Sequence, residues 1–532
     1  MNIVKDCLII VISRVIIICI LLFFGSSSLY SQYASRSSGS HIYYIASNGN
    51  DKWSGRLSSP NANNTDGPWR NLSMIWYANA RSYPRGTFFK PGDRILLRRG
   101  DVWNAKDNIA LPERSWDGGY LNLPRGLRGG ANLPIVIGAY GTGNRPVIDG
   151  RNIRGRDHQL IRGDECHYVT IQDLHLIAGP RSYFIEIRAF SRSGVSNLKF
   201  LRLYIDNSKD IYPGMRGGNG IIFKDAGFRT LFPDSNIDHA TPCHHIEVAW
   251  CRFIGIGGMP QNRNYSKRDG VTVQTPRGGH FWIHHNEFFY CNEAIDICGE
   301  SNHIIEYNLI VGTSRYHGLK LHSQFSQVTN SIIRGNVIVG AAGWGIAVEN
   351  IKNCRIYNNT IYSIPIGDRG WGSISFKEKK GYYGSFKSNE IFNNIFWGRV
   401  GIYGSRLIKK IHTLNTFSNN IYFNPNPGWK GVVIDYENGD AGIATVNVSN
   451  FKKEWLSKPG ITNDMSVDPQ FVNPFYKSYN DWGSFHLKPT SPAIDRGKKI
   501  GLILQDIQGN PVPQGKAPDI GACEFLKKGN SK

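Results

Sequence analysis

Trp282-Ile283-His284-His285-Asn286-Glu287-Phe288, Ile304-Ile305-Glu306-Tyr307-Asn308-Leu309-Ile310 and Ile332-Ile333-Arg334-Gly335-Asn336-Val337-Ile338 are three versions of one phrase. Each is a short β-rich run, an asparagine, and a further apolar pair. Arg355-Ile356-Tyr357-Asn358-Asn359-Thr360-Ile361, Ile391-Phe392-Asn393-Asn394-Ile395-Phe396 and Phe417-Ser418-Asn419-Asn420-Ile421-Tyr422 continue the series. The asparagines at 286, 308, 336, 359, 394 and 420 recur 22, 28, 23, 35 and 26 residues apart. Variable steps above a floor near 22 imply one coil per repeat, with insertions placed in loops. Apolar and polar residues alternate within each phrase, the period of a half-buried strand. Asparagine suits the turn between two strands, because it tolerates the left-handed conformation and bonds to neighbouring backbone. Stacked once per coil, these amides can form an internal ladder. No helical pattern separates the strands, so the phrase predicts an all-β parallel β-helix. A propeller is the alternative, but its period is nearer 40–50 with four strands per blade.

Composition agrees. Of 532 residues, 40% are hydrophobic and 12% aromatic, enough for a large core and against wholesale disorder. The 59 glycines show no three-residue period, which excludes collagen. Lys+Arg 62 against Asp+Glu 41 gives +21, a charge that favours a polyanionic partner. The basic residues are scattered instead of gathered in an arm, which argues against nucleic acid.

Lys5, an apolar run broken at Ser13 and Arg14, and then Gly25-Ser26-Ser27-Ser28 have the order of a secretory signal, read over residues 1–31. Export to the medium, periplasm or cell surface follows, with no integral membrane domain once the signal is removed. Seven cysteines lie beyond the leader, an odd and scattered set that reads as buried small hydrophobes and not as a disulfide framework. Residues 41–150 resemble the lead-in and cap found before secreted right-handed β-helices. The coils proper are read over 151–425, and 426–525 as C-terminal coils and tail. A monomer is expected.

A second register follows each turn asparagine: Gly270-Val271-Thr272-Val273-Gln274, Ala294-Ile295-Asp296-Ile297-Cys298, Gly318-Leu319-Lys320-Leu321-His322 and Gly345-Ile346-Ala347-Val348-Glu349. Strand alternation turns the apolar flanks inward and places Thr272, Asp296, Lys320 and Ala347 in one outward column. Asp296 and Lys320 become rung neighbours. Asp269, Glu293 and His317 lie three residues before the column, so one groove gathers Asp269, Asn292, Glu293, Asp296, His317, Lys320 and His322, with Arg268 and Arg315 beside it. Clustered carboxylates repel one another unless a cation intervenes, and oxygen ligands of this kind suit calcium (Ca2+). A lysine near such a cation has its pKa lowered toward that of a usable base.

Asp269-Gly270, Asn292-Glu293-Ala294-Ile295-Asp296 and Gly318-Leu319-Lys320-Leu321 resemble the three active-site segments of family 9 polysaccharide lyases. The resemblance implies a right-handed, pectin-lyase-like β-helix and cleavage of an acidic, uronate-containing polysaccharide by calcium-assisted β-elimination. Lys320 would be the base, Asp269, Asn292, Glu293 and Asp296 the calcium ligands, and Arg268, Arg315, His317 and His322 substrate contacts. The family pattern has two consecutive aspartates where this chain has Asn292-Glu293. Two other readings compete: a β-helix glycoside hydrolase using paired carboxylates, and a non-catalytic glycan-binding surface protein.

Overall fold

The computed structural model describes residues 40–76, 88–104, 119–151, 159–177, 183–189, 194–207, 219–225, 243–257, 271–275, 278–313, 316–363, 372–425, 434–437, 443–446, 455–501 and 505–526. The leader read over 1–31 lies outside them.

The chain folds as a right-handed parallel β-helix. Among the described residues its strands form three long sheets of 13, 12 and 11 strands, each coil contributing to each sheet in turn. One coil runs Gly278–His284 in the 13-stranded sheet, Glu287–Phe289 in the 11-stranded sheet and Glu293–Ile297 in the 12-stranded sheet. Ile304–Glu306 then opens the next coil. Ile42–Ile45 and Arg94–Arg98 pair in the same 13-stranded sheet. Parallel pairing stacks like residues on like. Ile283, Ile305, Ile333, Ile356, Ile391 and Phe417 lie over one another in register, each fully or almost fully buried. Burying one such side chain is worth about 1.5–3 kcal/mol.

The asparagines form the expected ladder. Asn286 Nδ2 donates to Asn308 Oδ1 at 3.0 Å, and Asn308, Asn336, Asn359 and Asn394 each donate to the next in the same way at 2.9–3.0 Å. Each acceptor oxygen also takes the backbone N–H of the asparagine above, and the second amide hydrogen goes to a core carbonyl, that of Val248 for Asn286 and of the stacked isoleucines for Asn308, Asn336 and Asn359. The left-handed backbone, however, belongs to the residue before each ladder asparagine: His285, Tyr307, Gly335, Asn358, Asn393 and Asn419, with φ between 52° and 63°. A left-handed non-glycine residue costs about 1–2 kcal/mol. The ladder amide, bonded up, down and inward, offsets that cost by satisfying backbone groups the turn leaves without partners.

The ladder ends on an acid. Asn420 donates to Asp464 Oδ1 at 3.0 Å, and the hydroxyl of Tyr422 and the indole N–H of Trp455 donate to Oδ2. Burial pushes the Asp464 carboxyl up to about 7, against the lowering by those hydrogen bonds. The folded state thus binds this proton more tightly than the unfolded chain does. Its contribution to stability is complete below the unfolded pKa near 3.8 and is lost as pH rises through about 7. The drop in melting temperature between pH 5 and pH 8 should therefore be smaller in Asp464→Asn than in the parent. Parallel pH profiles would refute this assignment.

The tail forms an antiparallel hairpin, Phe471–Ser478 with Asp481–Leu487. Phe471, Phe485 and Leu487 pack with Val337, Val339, Ile395 and Trp397 of the 11-stranded sheet. Tyr476 lies so close to Gly312 and Gly340, at φ +68° and +66°, that a Cβ on either glycine would overlap its ring. The hairpin thus covers the 11-stranded sheet. The seven cysteines beyond the leader are free and buried, as their spacing implied. Among the described residues no helix is long and apolar enough to cross a membrane.

Candidate active site

Four adjacent strands of the 12-stranded sheet carry the site: Val271–Thr275, Glu293–Ile297, Leu319–His322 and Trp344–Glu349. Val273, Ile295, Leu319 and Ile346 follow one another in register and are fully buried. That inward row fixes the opposite face. Asp296 pairs with Lys320, and Lys320 with Ala347, as the alternation required. The neighbour of Asp296 on the preceding strand is Gln274 and not Thr272. The core pair Val273–Ile295 sets this register, two residues shorter than the spacing between Asp296 and Lys320. Gln274 Nε2 accordingly donates to Asp296 Oδ2 at 3.4 Å.

The outward face is far from an open surface. Asp296 is 6% exposed, His322 1% and Cys298 5%, while Lys320 and Gln274 are half-buried. His322 Nε2 lies 2.9 Å from Asp296 Oδ1, and the His322 ring packs against Tyr382. Burial alone would raise the Asp296 carboxyl, but His322 and Lys320 beside it outweigh burial and hold it well below the usual carboxylate range. Burial alone would lower the Lys320 ammonium. The carboxylates of Asp296, Glu293 and Glu349 overcome that and keep it protonated above the ordinary lysine range. The lowering expected of a catalytic lysine is thus absent from the protein groups alone.

Asn292 and Glu293 are buried where the Asp296 strand begins. They stand with Asp296 as oxygen donors on one short segment. Both Asp296 oxygens already accept a hydrogen bond, yet a carboxylate offers about four lone-pair directions, so ligation of a cation stays open. Those three residues fit calcium in donor type. The expected fourth ligand, Asp269, lies outside the described residues, as do Arg268 and Arg315. His317 is 9% exposed and its Nδ1 accepts the backbone N–H of Trp344 at 3.0 Å. Burial, with Lys320 nearby, pushes its pKa down to about 3, so it is neutral and no cationic clamp.

Gln274, Cys298 and Glu349 belong to the same face and were not singled out from the sequence. Simple alternation would have found two of them. Cys298 stands two residues after Asp296, and Glu349 pairs directly with His322.

No protein-family model matches the chain, and no curated protein matches it. Among solved structures it resembles a lacto-N-biosidase of glycoside hydrolase family 136 from Eubacterium ramulus, at 14% identity over 80% of this chain and 68% of that one, with a TM-score of 0.44. It also resembles XylC in complex with xylose, at 11% identity over 92% and 99% of the two chains and a TM-score of 0.43. The pectate lyase Pel9A is similar at 14% identity over 92% and 97%, with a TM-score of 0.32. Likenesses this distant decide nothing about chemistry.

Proposed function

We propose that the chain is a polysaccharide lyase that cleaves an acidic, uronate-containing polysaccharide by β-elimination, with Lys320 as the base. The supporting observation is the cross-strand pair Asp296–Lys320, in which a deeply buried, histidine-oriented carboxylate stands beside a half-buried lysine. An ordinary surface ion pair has no need of such burial, and contributes at most about 1 kcal/mol.

The proton at C5 of a uronate is acidic because its conjugate base is stabilised by the adjacent carboxylate group. Lys320, once neutral, takes that proton on Nζ. The C5–H electrons form the C4–C5 double bond, and the C4–O bond breaks, so the glycosidic oxygen leaves with its pair and takes a proton from solvent. Asp296, held by His322 and Gln274, fixes the position of the lysine. A calcium ion held by Asn292, Glu293 and Asp296, with Asp269, would neutralise the uronate carboxylate and the same negative charges that keep Lys320 protonated. No water attacks in this scheme, which separates it from hydrolysis by Glu293 and Asp296. The net charge of +21 favours a polyanion approaching the groove, and the enzyme acts as a secreted monomer.

The reading is tested by incubating the protein with galacturonan, alginate and glucuronan and following the near-ultraviolet absorbance of the unsaturated product. One substrate should give it. With that substrate, EDTA should lower the rate and calcium restore it. Equal rates in EDTA and in calcium would remove the ion from the scheme.

A further inference from the structure

We propose that Asp296, Cys298 and His322 bind one divalent transition-metal ion of the zinc class. Among the described residues, these are the metal-capable side chains whose ligand atoms converge, all within 4.8 Å of one another. The fold brings them together by alternation and register alone. Asp296 lies on one strand, Cys298 two residues on and just past that strand's end, and His322 on the adjacent strand. All three are buried.

The donor set separates this site from the calcium ligands proposed above. Calcium takes oxygen almost exclusively. A carboxylate, a thiolate and an imidazole together suit zinc or cobalt, which accept mixed oxygen, sulfur and nitrogen ligands in tetrahedral geometry.

A second, independent observation points to a guest. With Nε2 of His322 engaged by Asp296, its Nδ1 is buried and has no hydrogen-bond partner. Directly opposite on the next strand, Glu349 Oε2 is also buried without a partner. Two orphaned polar atoms at paired positions are each unfavourable to bury. An ion bound through His322 Nε2 leaves Nδ1 to carry the ring proton, and Glu349, its cross-strand partner, is the carboxylate placed to support that tautomer from behind the ligand set, with a water as the fourth ligand. Binding replaces the thiol proton of Cys298, which leaves to solvent, so affinity rises with pH. The inference shares Asp296 and His322 with the lyase scheme but does not rest on it, because it concerns binding alone.

Cobalt(II) is the probe. The full chain, stripped with chelator, should bind one equivalent and develop a near-ultraviolet thiolate-to-cobalt charge-transfer band with the visible intensity of four-coordinate cobalt. Zinc should displace it, and a large excess of calcium should not. Cys298→Ser should lose the charge-transfer band, and Glu349→Gln, a milder change, should weaken binding at least about 10-fold. Should Cys298→Ser fail to fold, the weakening in Glu349→Gln together with the wild-type spectrum carries the decision. Absence of the band in the wild type, its persistence in folded Cys298→Ser, or undiminished affinity in Glu349→Gln would overturn the proposal.

Discussion

Lys320→Ala is expected to lower kcat by about 10²–10⁴-fold on the best acidic polysaccharide, the scale on which a general base contributes. Among the described residues, Lys320 is the group of the Asp296 patch that combines a basic nitrogen with partial access to solvent. Asp296 is buried and held anionic by His322 and Lys320, and His317 accepts a backbone hydrogen bond, so neither is placed to take a proton from substrate. Lys320→Arg should rescue little, because guanidinium stays protonated at any workable pH. Steady-state rates for both variants check this, with circular dichroism confirming that each is folded. A loss below tenfold would move the base elsewhere.

Asn336→Ala is expected to produce a large loss of stability. Asn336 sits in the middle of the ladder. Its Oδ1 accepts from both the backbone N–H and the side-chain amide of Asn308. Its Nδ2 donates to the carbonyls of Ile305 and Arg334 and to Asn359 Oδ1. Alanine strands buried partners on three coils, and each such group costs about 1–3 kcal/mol, so a loss of roughly 3–5 kcal/mol is anticipated, at the high end for point mutants. Asn336→Asp should be no better, since an ionised carboxylate would face three acceptors with nothing to donate. Denaturant unfolding of the two variants measures the effect. A loss under about 1 kcal/mol for alanine would mean that the ladder follows from the coils and does not hold them.

The coil repeat and the ladder were legible because both are periodic. One asparagine per turn and one apolar residue per inward position survive insertions of any length in the loops. The Asp296–Lys320 pairing was legible for the same reason. The neighbour of Asp296 on the other side was not. Register there follows which core residues meet, Val273 with Ile295, and a constant 24-residue step misplaces it by two residues. The left-handed turn position was also misassigned, since propensity favours asparagine there while His285 and Tyr307 occupy it in two coils. Their conformation is imposed by hydrogen bonds between coils, which no local preference encodes. Burial of the site is not encoded in this periodicity either. Alternation says which way Asp296 and His322 point, but not that neighbouring groups would close over them and invert the expected direction of the lysine's pKa.

The most direct test of the elimination chemistry is the mass of the new chain ends made from an acidic polysaccharide by the wild-type protein. Elimination predicts oligosaccharides lighter by one water than their hydrolytic counterparts, with an unsaturated sugar at the non-reducing end, and none of these from Lys320→Ala. Saturated ends carrying the full mass of water would contradict it and identify a hydrolase.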